Sequence, residues 1–447
     1  MNVPAGASGQ SLRRPWPVLN RGAAMARLRA LAVAVTLGLA TAAAVSYAPV
    51  PRLLLIMIPV GLAVALVVFA SPVLAAVLVG ASIPELQDVT GGHLGLHVAA
   101  SDVVLVLVTA RMLADALASR PLPVFRAVRP VRFAFVQYGW LIVILLALHL
   151  GLGSAVKSFQ RLELFVLPLL VGAFIALRRD HMVVLRAYVL ATTLLAIAWP
   201  VLNSHGLSGQ FQKNPTGQLI AGAILLLLAV PNLRRLLPCM PVLVVGLALT
   251  ASRGAILGLG VGLVALSVMH VGRNRRIVIA RTFVIVLTAA VAYQYLPSDV
   301  TARLTNLSSA TGTAGAYAID IRSEYAHDAE QVIAAHPWTG VGVGNYLAGS
   351  PALATQTTDP HDVVLLEAAE GGYVFAASFI LLIAGAAFAL WRLRRVELAA
   401  AAVAVLLATA AHGLVDVYWV RGTPVLGFLL VGMACGLAFQ RQRGPST

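Results

Sequence analysis

The chain has 447 residues, of which 60% are hydrophobic and only 11% are charged. Soluble domains carry about 25% charged residues, and the apolar runs of this chain approach the roughly 20 residues that cross a bilayer. The formal net charge of +15 comes almost entirely from arginine, because Lys157 and Lys213 are the two lysines. These values exclude a soluble enzyme and predict an all-α polytopic membrane protein.

Apolar spans recur from the N-terminal region to the C-terminal end. They fall at 30–47, 52–69, 72–84, 101–118, 134–151, 159–177, 183–202, 216–231, 237–251, 254–271, 282–297, 362–391, 398–415 and 424–440. We expect about 12–14 transmembrane helices from these spans. The predicted organisation is a cytoplasmic basic tail (1–28), an N-terminal transmembrane bundle (29–297), an extracytoplasmic, periplasmic loop (298–361), C-terminal transmembrane helices (362–440) and a cytoplasmic tail (441–447).

The arginines predict the orientation of the bundle. With a cytoplasmic N-terminus, most of them fall in cytoplasmic loops, as the positive-inside rule expects, so the basic excess does not indicate a nucleic-acid partner. Basic residues on the opposite side are Arg52, Lys157, Arg161, Lys213, Arg253, Arg303, Arg322 and Arg421. Contact with lipid headgroups explains any one of them equally well, but as a group they indicate an anionic ligand on that side.

The long loop contains one amphipathic stretch and one glycine-rich turn. In AIDIRSEYAHDAEQVIAA (318–335), an apolar stripe predicts a helix that lies on the membrane surface or covers a cavity; its members are Ile319, Tyr325, Ala326, Ala329, Val332 and Ile333. GVGVGN (340–345) follows no strand, so we interpret it as a tight turn that brings the backbone close to another element, and not as a dinucleotide site.

The stretch TTDPHDVVLLEAAEGG (357–372) places unusual polarity at the start of an apolar span. Asp359 is a good N-cap residue and Pro360 suits a first helical turn, which would put His361 in that turn. The positive end of a helix favours a neutral imidazole, the form that accepts a proton. The alternative is an ordinary interfacial histidine.

Two acids follow within the same span. Glu367 and Glu370 are three residues apart and share a helix face. Carboxylates inside a spanning helix are costly unless they face a cavity or a partner. We therefore expect them to pair with basic residues of a polar cavity near the outer leaflet.

Three short basic motifs are candidates for holding a diphosphate through charge-assisted hydrogen bonds and helix N-termini. SRG (252–254) breaks an apolar run at Arg253, and KSFQR (157–161) places Lys157 and Arg161 on one helix face. FQKNPTG (211–217) sets Lys213 and Asn214 before a proline at another helix start. No acidic pair has metal-ligand spacing, so no metal site is predicted, and Cys239 and Cys435 form no disulfide or metal motif.

Several longer motifs resemble the O-antigen ligase and O-antigen polymerase superfamily. The main ones are TASRGAILGLG (250–260), IRSEYAHDAEQVIAAHPWTGVGVGNY (321–346) and PHDVVLLEAAEGGYV (360–374). FQKNPTGQLIA (211–221) and HGLVDVYWVRGTP (412–424) agree with them. Each motif alone is loose, but their order, with one long loop between SRG and the histidine, is fairly specific.

The resemblance implies a glycosyltransferase of the GT-C type in the bacterial inner (plasma) membrane, with its active site facing the periplasm. Members move a glycan from undecaprenyl diphosphate to an acceptor, without a cofactor or a metal. The acceptor is a lipid A–core sugar for ligases, a carrier-linked repeat unit for polymerases and a protein for O-oligosaccharyltransferases. The implied partners are the lipid-linked donor, a lipid or glycan acceptor and membrane lipids. A transporter for a similar lipid is the competing class, but its polar sites would lie near mid-membrane.

The resemblance also implies roles for individual residues. His361 matches the histidine that deprotonates the acceptor, while Arg253 and Arg322 match the residues that hold the diphosphate. Glu370 matches the acid in the following helix and Asn345 the residue that closes the glycine turn, whereas Lys157 and Arg161 are weaker placements. Asp362 departs from the family, which more often has Asn there, and an acid beside His361 would raise the histidine's basicity.

Overall fold

The computed structural model describes residues 52–84, 98–118, 123–204, 213–270, 314–349, 360–416 and 423–443, with isolated positions between 271 and 313. Every regular element in this part of the chain is helical. In chain order the α-helices are α1 (Arg52–Ala70), α2 (Pro72–Ser82), α3 (Ala100–Ala118), α4 (Val124–Ala127), α5 (Arg132–Leu148), α6 (Leu152–Leu177), α7 (His181–Ser204), α8 (Lys213–Ala229), α9 (Met240–Thr250), α10 (Arg253–Met269), α11 (Ala314–Ala335), α12 (Tyr346–Gly349), α13 (Val363–Arg392), α14 (Ala399–Gly413) and α15 (Val425–Gln442). A 3₁₀ helix, Pro231–Cys239, precedes α9.

These helices confirm the predicted all-α class, and most predicted spans coincide with one of them. The span at 30–47 lies outside the described residues, and most of 282–297 does too. α6 begins at Leu152, before the predicted start at residue 159. Its first two turns carry the polar residues Ser154 and Lys157, so they are not part of the apolar run. Both side chains have partners in the fold, so the helix tolerates them.

Among the described residues, five helical segments are long and apolar enough to cross a membrane. They are Leu152–Leu177, His181–Val201, Pro231–Thr250, Val363–Arg392 and Val425–Gln442. Shorter apolar helices, including α5, α10 and α14, accompany them. The chain is therefore a multi-pass membrane protein.

The chain divides into two compact units, residues 1–71 and 72–447. In the first unit the described element is α1, which is apolar after Arg52. In the second unit, α6 packs along α15 at backbone distance: a Cβ on Gly172 would lie 2.1 Å from the Leu429 carbonyl oxygen, and one on Gly432 would lie 2.0 Å from the Leu169 carbonyl oxygen. Small residues at such crossings let membrane helices associate by close packing.

A second group of helices positions the polar residues of the chain. α8, α10 and α14 pack against one another, and α13 packs against α14 and α5. The starts of α8, α10 and α13 and the end of α14 lie at the same end of this group, because Gly217 abuts Ser252, Gly254 abuts His412, and Asp416 contacts His361. The motifs singled out in the sequence therefore meet at one end of the bundle.

The amphipathic helix α11 covers the first turns of α13. Ala329, Val332 and Ile333 are buried in one apolar cluster with Leu366 and Ala369 of α13. This confirms that part of the predicted stripe is apolar and buried, and its partner is a protein helix. The side chain of Ile319 lies outside the described residues.

Candidate functional site

His361 lies immediately before α13, not in its first turn. Asp362 is the N-cap of the helix and its side chain accepts hydrogen bonds from Val364 N and Leu365 N, at 2.7 and 3.1 Å. The expected cap, Asp359, lies outside the described residues. The prediction placed the helix start too early because DPHD offers two aspartates that are each competent to cap.

The backbone of His361 has a φ of 49°, in the left-handed region. A residue with a Cβ pays roughly 1–3 kcal/mol of strain to hold such a conformation, and sites of this kind cluster where function demands a fixed geometry. The side chain is 22% exposed. The imidazole therefore remains partly accessible from outside the bundle.

Asp416, just beyond α14, fixes the orientation of this imidazole. Its Oδ1 lies 3.1 Å from His361 Nδ1, and its Oδ2 lies 3.2 Å from Nη2 of Arg322 on α11. Burial by itself raises the pKa of Asp416, but the hydrogen bond from His361, the nearby His412 and the charge of Arg322 hold the pKa well below its usual range. An ionised carboxylate only accepts, so Nδ1 of His361 carries the proton and the lone pair of the neutral ring is on Nε2.

Tyr325 of α11 contacts the same imidazole. The rings of Tyr325 and His361 are 5.9 Å apart between centroids and only 5° from parallel. The Tyr325 ring stacks on a face of the imidazole and the Asp416 carboxylate binds its Nδ1. Together these two contacts restrict the ring to one orientation. The arrangement is that of an imidazole presented as a proton acceptor.

Asp362 serves as a helix cap and its side chain is engaged by two backbone amides. Burial raises the pKa of the Asp362 carboxyl, while those amides act in the opposite direction. Asparagine caps helices about as well as aspartate. The capping geometry therefore accounts for either residue at this position.

A second charged cluster lies one to two turns further along α13. Nη1 of Arg161 lies 3.0 Å from Glu367 Oε1 and 2.8 Å from Glu370 Oε2, and Tyr138 OH donates to Glu367 Oε2 at 2.9 Å. The expected pairing of the two acids with a basic residue is confirmed. Both carboxylates are almost fully buried, and the Tyr138 ring stacks on Phe375 with a centroid distance of 5.1 Å.

The glycine-rich turn joins this cluster to a kink in α13. Gly372 of α13 has a φ of 74°, which interrupts the helical hydrogen bonds. Amides of the turn replace them: Val341 N donates to Ala369 O at 3.0 Å and Gly342 N to Glu370 O at 2.8 Å. A Cβ on Gly340, whose φ is 58°, would lie 2.2 Å from the Glu370 carbonyl carbon. The predicted close approach of this turn to another element is confirmed.

The turn also contacts the start of α6. Gly344 N donates to Glu370 Oε1 at 2.8 Å, and Asn345 Nδ2 donates to Ser154 Oγ at 2.8 Å. A Cβ on Gly344 would lie 2.3 Å from Lys157 Cγ. The structure thus brings Lys157, Arg161, Asn345, Glu367 and Glu370 together around one turn.

Arg253 begins α10, and Ser252 caps this helix by accepting from Ala255 N at 3.3 Å. Lys213 and Asn214 begin α8, and Gly217 one turn later packs against Ser252 and Ala255. These three candidates therefore lie at the same end of the bundle as His361.

Three residues near His361 were not predicted as site residues from the sequence: Asp416, Tyr325 and the buried His412. Their indication in the sequence is HGLVD (412–416), in which a histidine and an acid four residues apart share one helix face at the end of an apolar span. Among the described residues, no group of three or more His, Cys, Asp or Glu side chains is arranged to hold a metal ion.

Comparison with known families agrees with the geometry. Residues 239–380 match the family model described as O-antigen ligase. This segment includes Arg253, Arg322 and His361, while Asp416 and Arg161 lie outside it. No curated protein sequence matches the chain. Over these residues the family match agrees with the resemblance that the motifs predicted.

Proposed function

We propose that this chain, which carries an O-antigen ligase domain, transfers a glycan from undecaprenyl diphosphate to a cell-envelope acceptor with His361 as the general base. The domain match supports a ligase- or polymerase-like glycosyltransferase in general. The observation that carries the finer assignment is the 3.1 Å contact between His361 Nδ1 and Asp416 Oδ1. It holds the imidazole so that Nε2 is the proton-accepting atom.

The chemistry follows from that orientation. An acceptor hydroxyl placed at Nε2 gives up its proton as its oxygen attacks the anomeric carbon of the donor sugar. The bond to the diphosphate oxygen breaks on the opposite face, so the configuration at that carbon is inverted. Asp416 stabilises the imidazolium that forms, as the acid of a catalytic triad does.

The leaving diphosphate requires positive charge close to the base. Arg322 directs one nitrogen to Asp416, but a guanidinium has five donors, so it has further donors for phosphate oxygens. Arg253 lies at the N-terminal end of α10, where the helix dipole also favours an anion. Lys213 and Asn214, at the start of α8, extend the same basic surface.

The second cluster has a different role in this proposal. Arg161 is bound by Glu367 and Glu370, so its charge is largely compensated inside the protein. We assign Arg161, both glutamates and Asn345 to holding the glycine turn against α13, and Lys157 to the side of the turn. Together they position the start of α13, which His361 precedes.

In this proposal the transfer takes place at the periplasmic face of the inner membrane, the side to which the sequence assigns the basic residues that oppose the positive-inside tendency. We assign a lipid A–core sugar as the acceptor, which makes the chain a ligase. A polymerase of lipid-linked repeat units or a protein O-oligosaccharyltransferase would use the same base and the same leaving group. A transporter would not need an oriented proton acceptor.

Deletion of the gene distinguishes these functions through the size of the glycans that remain on the lipid carrier. A ligase leaves long chains on the carrier and none on lipid A–core, whereas a polymerase leaves single repeat units. Carrier-linked glycans of unchanged size and amount, together with an unchanged acceptor, would contradict a transferase of either kind. Complementation with wild type and with His361→Gln in the same strain tests the assigned base.

A further inference from the structure

A second histidine lies behind the His361–Asp416 pair. His412, in the last turn of α14, is fully buried. Its Nε2 lies 3.9 Å from Asp416 Oδ2, and its Nδ1 lies 3.3 Å from Gln218 Oε1 on α8. A buried imidazole cannot meet an acceptor hydroxyl, so any role in transfer acts through Asp416.

The two oxygens of Asp416 have separate partners. Oδ1 faces His361, whereas Oδ2 faces both Arg322 and His412. The hydrogen bond from Arg322 and the imidazole of His412 near Oδ2 oppose rotation of the carboxylate, so Oδ1 stays on the Nδ1 of His361. They also draw negative charge away from Oδ1, which limits how strongly Asp416 stabilises a protonated His361.

The orientation of the Gln218 amide sets which nitrogen of His412 carries the proton. If Gln218 Oε1 faces His412, Nδ1 of the neutral ring donates to the amide, and the lone pair on Nε2 faces the carboxylate. If the amide is turned, Gln218 Nε2 donates to Nδ1, and the neutral ring carries its proton on Nε2. Gln218 is itself buried, and its Nε2 has no hydrogen-bond partner among the described residues. The turned amide gives that Nε2 a partner and places an N–H of His412 toward Asp416.

The glycine of the SRG motif leaves the space that this imidazole fills. A Cβ on Gly254 would lie 2.5 Å from His412 Cδ2 and 2.8 Å from His412 Nε2. The next atom is Val415 Cγ2 at 3.1 Å, so the nearest atoms it meets are side-chain atoms. One turn later, a Cβ on Gly258 would lie 2.6 Å from Gln218 Oε1. The first turn and a half of α10 therefore forms the wall against which His412 and Gln218 are held.

We propose that His412, oriented by Gln218 and admitted by Gly254, is a positioning residue that fixes Asp416 on His361 and so sets the strength of the base. The inference rests on the proposed function, because its readout is glycan transfer. It connects the SRG motif, which lies within the matched residues 239–380, with HGLVD (412–416), which lies outside them.

The first test replaces His412 with leucine and with glutamine. Leucine fills the space without a donor, and we expect a loss of about 10- to 100-fold in kcat, the size typical of groups that orient a functional residue, with KM for the donor little changed. Glutamine keeps a donor near the position of Nε2 and should retain activity within a few-fold of wild type. The substrate is carrier-linked glycan extracted from the deletion strain, and thermal unfolding in detergent checks that each variant is folded.

The pH profile separates positioning from packing. Against Asp416 the described structure places Arg322 of α11, His361 before α13 and His412 itself; α8 contributes the neutral Gln218, and α10 contributes Gly254 beside Arg253. In His412→Leu, Arg322 still donates to Oδ2, but the N–H of His412 near that oxygen is lost. Asp416 then holds a proton on His361 more strongly, so the acid limb of the rate profile should move to higher pH. The limb of His412→Gln should match wild type. A variant with lost packing alone would lose rate without moving the limb, which would overturn the proposal.

The second test is a double-mutant cycle between Gly254 and His412. Gly254→Ala should lower transfer about tenfold by displacing the imidazole, but should cost less than about twofold when added to His412→Ala, because coupled neighbours are not additive. Gly260→Ala is the matched control, since a Cβ at Gly260 meets nothing within 4 Å. Additive losses would contradict the proposal.

The outcomes also separate this inference from the function it rests on. If wild type and Gly260→Ala transfer no glycan, the proposed function fails and the positioning role falls with it. If wild type transfers, Asp416→Asn does not, and His412→Leu equals wild type, the function stands and the positioning role is wrong.

Discussion

Two charged clusters lie within a few turns of each other near the start of α13. They differ in how far their side chains are buried and in how many of their polar atoms have a partner within the protein. In the Arg161–Glu367–Glu370 cluster the two carboxylates are 3% and 4% exposed and both bind the same guanidinium. In the His361–Asp416 cluster the imidazole is 22% exposed, its backbone is strained, and its Nδ1 alone is engaged by the carboxylate.

The difference shows how a charged cluster that stabilises the fold can be told from one that is available to a substrate. A buried ion pair whose groups satisfy one another holds elements together, because breaking it leaves an uncompensated charge. A strained residue with an oriented and accessible nitrogen offers chemistry to a substrate. Charged residues within a membrane protein usually mark a functional site. In this chain the geometry of the two clusters is the basis on which we assign one a structural role and the other a functional role.

The largest expected effect is on transfer when the base is removed. We expect His361→Gln to lower the transfer rate by about 10²- to 10⁴-fold, the usual contribution of a general base, while thermal stability stays close to wild type. Transfer is measured with carrier-linked donor in membranes. His327→Gln on the exposed face of α11 is the matched control, because its side chain is 68% exposed. Full activity of His361→Gln would show that His361 is not the base.

The opposite pattern is expected in the buried cluster. Arg161→Met leaves two carboxylates without their cation, and removing one partner of a buried pair costs about 3–5 kcal/mol. Unfolding temperature and yield in detergent should fall strongly. Arg186→Met on the neighbouring helix α7, where the arginine is exposed, should change little.

A compensating variant sharpens this test. Glu367→Gln and Glu370→Gln added to Arg161→Met remove the uncompensated charges and should recover part of the lost stability. If Arg161→Met instead remains stable and loses donor binding, Arg161 contacts the diphosphate and the scaffold role is wrong.

Asp416→Asn should have an intermediate effect that combines rate and pH. The amide can no longer stabilise a protonated His361, so we expect a loss of roughly 10- to 1,000-fold in transfer. The basic form of His361 then persists to lower pH, and the acid limb of the remaining activity should move downward. A limb that moves upward would show that Asp416 does not stabilise the protonated ring.

The smallest effect is expected at Asp362. Asp362→Asn keeps the cap of α13 and should change stability by less than about 0.5 kcal/mol, whereas Asp362→Ala should cost about 1 kcal/mol. Transfer and its pH profile should be unchanged in the asparagine variant. A shifted profile would mean that the carboxylate at 362 tunes His361 in addition to capping the helix.

The sequence predicted the pairing of two buried acids in α13 with a basic residue. Glu367 and Glu370 were expected to share a face and to find a cation, and both do. The sequence did not identify which cation, because Arg161 is 206 residues away from Glu367 along the chain. It also predicted Asp359 as the cap, whereas Asp362 caps α13. Both aspartates are competent caps, and the local pattern does not decide between them.

By itself the sequence determined the helices and their chemistry: apolar runs that satisfy their backbone internally in a bilayer, the amphipathic stripe of α11, and the histidine, acids and arginines at span ends. Only the tertiary structure decided which of those groups meet. His361 and Asp416 are 55 residues apart, and their contact depends on how α13 packs on α14. Periodicity reports which face of a helix is buried, whereas partners are set by the packing of whole helices, so Asp416 and His412 emerge only once the bundle is assembled.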